Sequence, residues 1–213
     1  LCMTGKTLRD QNALKETIPE FYSVKESVFP FVKFPGVDPI LGPEMKSTGE
    51  AMGIGKNFGE AFAKAQLSAN VLLPESGTAF ISVRKADRPR LIALANRILD
   101  LGFKLVATRG TARVLSENNI QASIVNKVKE GRPHIVDMIK NNEISLIINT
   151  SEGKKSIEDS SAIRRAALQD KVTYTTTMTG AEAMCEAISV IAEVDGDFEV
   201  YQIQALKANN YRL

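Results

Sequence analysis

Side chains that build metal centres and disulfide frameworks are almost missing from this chain of 213 residues. Its two cysteines, Cys2 and Cys185, lie far apart in the sequence, which argues against a disulfide framework and a cysteine-based metal site. His134 is the only histidine, and because it follows Pro133 at a predicted helix start, a capping role is favoured over catalysis. The sequence therefore predicts no metal site and favours a reducing, cytoplasmic compartment.

The chain also lacks a dominant charge, a long apolar run and a signal peptide. Its formal net charge is only +2, so no overall field attracts it to nucleic acid or to a membrane. No apolar run approaches the roughly 20 residues that span a bilayer. The opening residues, 1–6, have neither the basic nor the apolar region of a secretory signal, and the missing initiator methionine favours a fragment of a longer protein.

Aromatic residues and prolines crowd into the part of the chain before residue 75. Four prolines fall within Phe29–Glu50, which predicts an ordered, turn-rich loop there. Helices are predicted for Lys56–Ala69 and, more briefly, for Thr7–Leu14. The glycines of Gly53-Ile-Gly-Lys-Asn-Phe-Gly59 are spaced one residue too widely for a dinucleotide fingerprint, so a flexible turn before the Lys56 helix is favoured.

From Gly77 onward the pattern changes to alternating strands and helices. The predicted strands are Thr78–Arg84, Phe103–Ala107, Ser123–Val125, Ile144–Ile148, Val172–Thr175 and Phe198–Ile203. The predicted helices are Arg88–Leu101, a segment beginning at Thr111, Pro133–Asn141, Ser156–Leu168 and Gly180–Ile191. Regular alternation of this kind predicts an α/β fold, with a mainly parallel sheet between two layers of helices.

The second of these strands ends in the most informative motif of the chain. The apolar run Phe103–Ala107 stops at Thr108-Arg-Gly-Thr111, and a helix-like segment follows. At such a turn the free backbone N–H groups and the positive end of the helix dipole favour an anion. The two hydroxyls add hydrogen-bond donors, and Gly110 lets the backbone approach closely. The motif predicts a phosphate site, with an ordinary helix cap as the simpler alternative.

Further polar side chains follow the other predicted strands. Because ligands of parallel α/β sheets bind outside the carboxyl ends of the strands, these side chains are candidates for one site. In this hypothesis Thr108, Thr111, Lys127 and Arg88 hold a phosphate, while Asn149 and Ser151 address a sugar or base. The alternative is that strand ends are simply polar. No nucleophile–base pair and no carboxylate dyad emerges from the sequence, so a binding protein is favoured over an enzyme.

Long runs of the chain resemble one known family. Residues 22–31, 33–50 and 59–66 resemble the end of the second ATP-grasp half of the carbamoyl-phosphate synthase large-chain family. The later part is similar to the C-terminal regulatory domain of that family, which has the methylglyoxal-synthase-like (Rossmann-like) fold. The matching pieces are Ala107–Thr111, Val125–Val128, Glu130–Ile135, Ile147–Thr150, Ile157–Ser160 and Ile163–Arg165.

The resemblance implies two domains and a set of effector contacts. It implies an ATP-grasp tail at residues 1–72 and an allosteric domain at residues 76–207. The residues implied to bind the phosphate of UMP or IMP are Arg88, Thr108, Gly110, Thr111 and Lys127. Those implied at the ribose and base are Val128, Ile135, Asn149, Ser151, Asp159, Ser160 and Ile163. Glu26, Tyr174 and Thr176 match the ornithine site. Arg88 replaces a lysine of the family and Ser151 a threonine, and both keep a donor.

The same resemblance implies a function for the longer protein. It would be an ATP-dependent ligase that makes carbamoyl phosphate from bicarbonate and glutamine-derived ammonia, for pyrimidine and arginine biosynthesis. Its upstream domains would bind ATP, magnesium or manganese, and potassium, whereas this fragment is expected to hold no cofactor and to be non-catalytic. The implied partners are the upstream domains, the small glutaminase chain and further copies of the allosteric domain, with neither nucleic acid nor a membrane among them.

Two alternatives to the regulatory role remain at the level of sequence. One is a lyase of the methylglyoxal-synthase type, which needs an aspartate as catalytic base after a glycine pair. The corresponding loop here reads Lys129-Glu-Gly-Arg132 and lacks that arrangement, which argues against the lyase. The other alternative is a purely structural oligomerisation module, which has no need of hydroxyl-rich turns at several strand ends.

Overall fold

The computed structural model describes residues 1–16, 18–33, 45–152 and 154–206, without side-chain detail at 32, 154–159, 203 and 205. Seven strands and seven α-helices lie in the described residues. The strands are β1 (Tyr22–Val28), β2 (Gly49–Gly55), β3 (Thr78–Ser82), β4 (Lys104–Thr108), β5 (Ser123–Val125), β6 (Leu146–Asn149) and β7 (Thr173–Thr175). The helices are α1 (Phe58–Ser68), α2 (Arg88–Asp100), α3 (Arg109–Ser116), α4 (Ile135–Lys140), α5 (Lys154–Gln169), α6 (Met178–Val194) and α7 (Ile203–Leu206).

The predicted parallel sheet is confirmed. Five strands lie in the order β5-β4-β3-β6-β7, and every neighbouring pair is parallel. The strands carry mainly apolar side chains because helices cover both faces of the sheet. Helices α2, α3 and α6 pack on one face and α4 and α5 on the other, as the two separate apolar clusters of the core show. The result is the three-layer α/β architecture expected from the alternating pattern.

The segment before this sheet differs from the sequence prediction. Residues 22–28, for which no element was predicted, form an antiparallel pair with residues 49–55, β1 with β2. β2 replaces the end of the predicted Phe29–Glu50 loop and the start of the predicted flexible turn. The strand β2 was not predicted because its glycines interrupt the alternating pattern of side chains by which a strand is identified in a sequence. A Cβ on Gly53 would stand 2.0 Å from the carbonyl oxygen of Ala61, so glycine here lets α1 lie directly on β2. Part of the predicted loop, residues 34–44, lies outside the described residues.

Two further predicted elements are absent from the described residues where they were expected. The predicted helix near Thr7–Leu14 is a series of turns, and Asn12 has a φ of 53°, which no α-helix contains. The predicted strand Phe198–Ile203 pairs with no strand. Its aromatic side chains pack on a lysine of α1 instead, with Lys64 Nζ 4.3 Å from the ring centre of Tyr201 and 5.8 Å from that of Phe198.

A polar network holds this C-terminal segment to α1. Lys64 Nζ donates to the Glu60 carboxylate at 2.6 Å, to the carbonyl of Ile54 at 3.0 Å and to that of Glu199 at 2.7 Å. Tyr201 donates its phenol proton to the same Glu60 carboxylate at 3.1 Å. Glu60 is only 7% exposed. The network gives hydrogen-bond partners to the Glu60 carboxylate and the Lys64 ammonium, whose burial without partners would destabilise the fold.

The Glu60 network predicts a specific dependence of stability on pH. Burial on its own would raise the pKa of the Glu60 carboxyl, but hydrogen bonds from Lys64 and from the Lys56 N–H outweigh it and lower the pKa below 4.5. A carboxyl with a lowered folded pKa stabilises the fold above its unfolded pKa, and this contribution is lost as the pH falls through the folded value. We expect Glu60→Gln to cost roughly 1–3 kcal/mol at pH 7 and progressively less below pH 4.5.

Urea unfolding of wild type and Glu60→Gln between pH 7 and pH 3 measures this difference. Glu50→Gln is the matched control, because Glu50 pairs with Lys25 at a surface where the two side chains are 55% and 62% exposed. Exposed pairs contribute about 0–1 kcal/mol, so the control should change little at any pH. A difference between wild type and Glu60→Gln that stays constant across this range would contradict the prediction.

Candidate functional site

The carboxyl ends of β3, β4 and β6 lie side by side at one edge of the sheet. Ser82 at the end of β3 pairs with Asn149 at the end of β6, and Thr108 ends β4 on the other side of β3. Thr108 in turn pairs with Val125, the last residue of β5. The fold therefore gathers at this edge the polar strand ends that the sequence analysis singled out.

A chain of hydroxyls runs through the Thr108–Thr111 turn. Helix α3 begins at Arg109, directly after β4, so its first N–H groups face the edge of the sheet. Ser82 Oγ lies 3.1 Å from Thr108 Oγ1, and Thr108 Oγ1 donates to Thr111 Oγ1 at 3.4 Å. Thr111 Oγ1 also accepts from the Val83 N–H at 3.2 Å, which leaves its own proton for an acceptor such as an anion.

Arg88 lies over this turn. Its Nη2 is 3.8 Å from the position that a Cβ on Gly110 would occupy, so the first residue of α2 and the first turn of α3 are neighbours. The Nε of Arg88 is buried and has no acceptor in the part of the chain that the structure describes. A buried donor without an acceptor is costly, and an anion at this turn would supply one.

Asn149 presents a second unsatisfied donor at the same edge. The residue is 5% exposed, and its Nδ2 has no hydrogen-bond partner among the described residues. Ser151, two residues further on, is half-buried. Both lie where a ligand bound beyond the ends of β3 and β6 would meet them.

Lys127 lies in the connection that follows β5. Its side chain is exposed, and its backbone N–H donates to the Glu130 carboxylate at 2.9 Å. Arg109 Nη2 donates to Asn126 Oδ1 at 3.0 Å, which ties this connection to the start of α3. The structure therefore brings the backbone at Lys127 beside the Thr108–Thr111 turn.

Most of the described side chains expected at the ribose and base are buried. Ile135, fully buried, and Ile163, 6% exposed, belong to the apolar cluster on the α4–α5 face, against which Val128 packs. Ser160 is 6% exposed. The backbone of Asp159 lies in α5, but its side chain is outside the described residues.

The three residues matched to an ornithine site lie on different elements. Glu26 is on β1, and the partner of its carboxyl is the Gln66 side chain of α1. Burial raises the pKa of the Glu26 carboxyl, and the hydrogen bond with Gln66 opposes that shift. Tyr174, half-buried, lies in β7, and Thr176 is exposed just after it.

Two side chains considered for catalysis have structural partners. His134 is the N-cap of α4, and its Nδ1 accepts from the Asp137 N–H at 3.4 Å, as the predicted capping role requires. The Glu130 carboxylate accepts the Lys127 N–H within a short 3₁₀ turn. Among the described residues, no group of three or more His, Cys, Asp or Glu side chains could hold a metal ion. No helix in the same residues is long and apolar enough to cross a membrane.

A separate cleft of about 400 Å³ lies beside β5 and α4. Its lining residues are Ile124, Val125, Asn126, Pro133, Asp137, Met138, Asn141 and Glu143. The two carboxylates in this lining disfavour an anion, so the cleft does not compete with the Thr108–Thr111 turn as a phosphate site.

The sequence analysis did not name Ser82 as a site residue, and it named Thr150 only as a polar residue at a strand end, without a role in the site. Ser82 continues the hydroxyl chain of the turn, and Thr150, 6% exposed, hydrogen-bonds to the Arg84 N–H. Both are small hydroxyl residues at or directly after the end of an apolar strand, and this position is the sequence signal that could have predicted a role in the site.

Comparison with known proteins agrees with this architecture. Residues 90–176 match the MGS-like domain family. The chain is 62% identical over 186 residues to the carbamoyl phosphate synthase large chain of Pseudomonas syringae pv. tomato, covering 87% of this chain and 17% of the relative. It is 54% identical over 205 residues to that of Xanthomonas axonopodis pv. citri, covering 96% of this chain and 19% of the relative.

A third relative extends the match to nearly the whole chain. The carbamoyl phosphate synthase large chain of Ralstonia nicotianae is 51% identical over 209 residues, covering 98% of this chain and 19% of the relative. The chain thus spans less than a fifth of the length of each of these relatives. It carries an MGS-like domain, and nearly all of it is similar to a C-terminal part of the carbamoyl phosphate synthase large chains.

Proposed function

We propose that residues 76–207 form an allosteric domain that binds a nucleoside monophosphate, UMP or IMP, through its phosphate. The observation that carries the proposal is a pair of buried donors, Arg88 Nε at the start of α2 and Asn149 Nδ2 at the end of β6, that have no acceptor among the described residues. A phosphate beside Thr108 and Thr111 would accept from Arg88, the Thr111 hydroxyl and the helix N–H groups together. Lys127 would add a second positive charge from the neighbouring connection.

The ribose and base would lie beyond the ends of β3 and β6. Asn149 and Ser151 supply donors there, and Asp159, Ser160, Val128, Ile135 and Ile163 complete the proposed set. The unsatisfied amide of Asn149 supports a polar ligand group at this position, because a buried amide without a partner is destabilising.

The regulatory part of the proposal concerns the longer protein. Residues 1–72 would be the tail of its ATP-grasp half, and the whole would make carbamoyl phosphate from bicarbonate, ammonia and two ATP, with a small chain as partner. UMP would inhibit and IMP and ornithine would activate, because each ligand binds one of two states of the synthetic half more tightly. Glu26, Tyr174 and Thr176 would contribute to the ornithine site. The fragment alone would catalyse none of this.

Calorimetric titration of the chain with UMP, IMP and inorganic phosphate tests the proposal. We expect saturable binding of at least one nucleotide, weakened about tenfold in Thr111→Ala, because the variant loses one hydrogen bond to a charged group. Thr48→Ala is the control, since the Thr48 hydroxyl is exposed and bonds to the Val28 carbonyl in the two-stranded sheet. No binding of any of the three ligands, or equal binding by Thr111→Ala, would overturn the phosphate assignment.

Two activity assays separate the proposal from its alternatives. We expect the chain to bind nucleotide without forming methylglyoxal, because Glu130, the acidic residue of the relevant loop, is engaged with the Lys127 N–H. Formation of methylglyoxal would favour the lyase. ATP-dependent carbamoyl phosphate synthesis by the isolated 213 residues would contradict the claim that the fragment is non-catalytic.

A further inference from the structure

The proposed ligand crevice lies between the connections that follow β3 and β6. The two strands are neighbours, yet β3 leads to α2 on one face of the sheet and β6 leads to α5 on the other. Diverging connections of this kind open a crevice at the carboxyl ends of the strands. The width of that crevice depends on whatever links the two connections.

Thr150 makes hydrogen bonds between the two connections, beside a long ion pair of 3.9 Å between Arg84 and the exposed Glu152. Its backbone N–H donates to the Ser82 carbonyl at 3.0 Å, and its hydroxyl accepts from the Arg84 N–H at 3.1 Å. Hydrogen bonding from Arg84, and from the Thr150 side chain, lowers the pKa of the Asp87 carboxyl below its usual value.

The partners of Thr150 are tied to one another on the β3 side. Arg84 Nε donates to the Asp87 carboxylate at 2.9 Å, within the single turn that precedes α2. Asp87 is directly followed by Arg88, where α2 begins, and Thr150 is directly followed by Ser151. The link therefore holds in place the residues adjacent to two of the proposed nucleotide contacts.

We infer that Thr150 is a positioning residue of the nucleotide site, whose hydroxyl, bonded to the Arg84 N–H at the start of the turn before α2, keeps Arg88 over the Thr108–Thr111 turn. The inference rests on the proposed function. Thr150 itself does not touch the phosphate; it acts through the start of α2. Loss of the Thr150 hydroxyl should therefore weaken nucleotide binding only in a chain that retains Arg88.

A double-mutant cycle with Arg88 tests this role. We expect Thr150→Val, which keeps the shape and removes the hydroxyl, to weaken UMP binding about tenfold, and Thr150→Ser to restore it. In an Arg88→Met background, Thr150→Val should change the UMP affinity by less than about threefold, because the residue it positions is gone. Calorimetric titration of wild type, the three single variants and the Arg88→Met, Thr150→Val double variant gives all these values.

Asp87→Ala serves as a second variant, because it removes the half-buried carboxylate that Arg84 binds directly before Arg88. It should reproduce both the tenfold loss and the lack of additivity with Arg88→Met. An unchanged UMP affinity in Thr150→Val and Asp87→Ala would overturn the inference and leave the proposed function intact. A loss of equal size with and without Arg88 would also overturn it, since Thr150 would then act by another route. Wild type that binds none of UMP, IMP and inorganic phosphate would overturn the proposed function and this inference together.

Discussion

Replacing Arg88 by methionine is expected to weaken UMP binding by about 10- to 100-fold. A hydrogen bond to a charged group contributes roughly 1.5–3 kcal/mol, and each 1.4 kcal/mol corresponds to a factor of ten in affinity. Arg88 lies over Gly110 with a buried Nε that has no acceptor in the described part of the chain. Because this donor is unsatisfied without a ligand, its removal should change the free energy of unfolding by less than about 1 kcal/mol. Titration with UMP and urea unfolding of the same variant measure the two effects.

Arg90→Met is the matched control for this prediction. Arg90 lies two residues further along α2 and pairs with Glu182 of α6, so the substitution removes the same charge from the same helix without touching the turn. UMP affinity should therefore stay within about twofold of wild type at moderate salt, where distant surface charges are screened. Equal losses in the two variants would show that only net charge matters and would contradict the contact assigned to Arg88.

The second large effect is expected at Gly53, where a single methyl group should destabilise the fold by about 3 kcal/mol or more. A Cβ at this position would stand 2.0 Å from the Ala61 carbonyl oxygen and 2.5 Å from the Ala65 nitrogen. Both atoms belong to the backbone of α1, so the helix as a whole must move, and overpacking of a well-packed site commonly costs 1–3 kcal/mol even where side chains can yield. For a chain of this size the melting temperature should fall by roughly 6–12 °C.

Gly49→Ala provides the control on the same strand. No atom lies within 4 Å of a Cβ at Gly49, so the substitution should stay within about 0.5 kcal/mol of wild type. Thermal and urea unfolding, followed by circular dichroism, measure the stability of the two variants relative to wild type. If Gly53→Ala proved as stable as Gly49→Ala, the direct packing of α1 on β2 would be wrong.

The parallel sheet was predictable because its signals are local and repeated. Asp87 and Pro89 mark the start of α2, Gly102 marks its end, and the apolar strands alternate with the helices. The strand-end turn was predictable for the same reason, since a threonine pair around Gly110 after an apolar strand is visible in the sequence. The rule that ligands bind at strand ends also grouped Arg88 with that turn from sequence, although Arg88 and Gly110 lie on different helices.

The misses have a different physical origin. β2 contains three glycines, and its packing depends on the absence of side chains, which a hydrophobic pattern cannot reveal. The segment around Tyr201 has the alternation of a strand, but its aromatic rings are satisfied by a lysine and a carboxylate of α1. The sequence placed Thr150 at a strand end but gave it no role, because its hydrogen bonds are made to Ser82, at the end of another strand, and to Arg84, just beyond it.

A crystal structure of the chain with UMP tests the central claim most directly. We predict the phosphate within hydrogen-bonding distance of the Thr111 hydroxyl and the first N–H groups of α3, with the Arg88 guanidinium also in contact. Asn149 Nδ2 should acquire an acceptor from the ribose or base. A phosphate bound instead in the cleft lined by Asp137 and Glu143, or any pose in which Arg88 and Thr111 touch no ligand atom, would contradict the account.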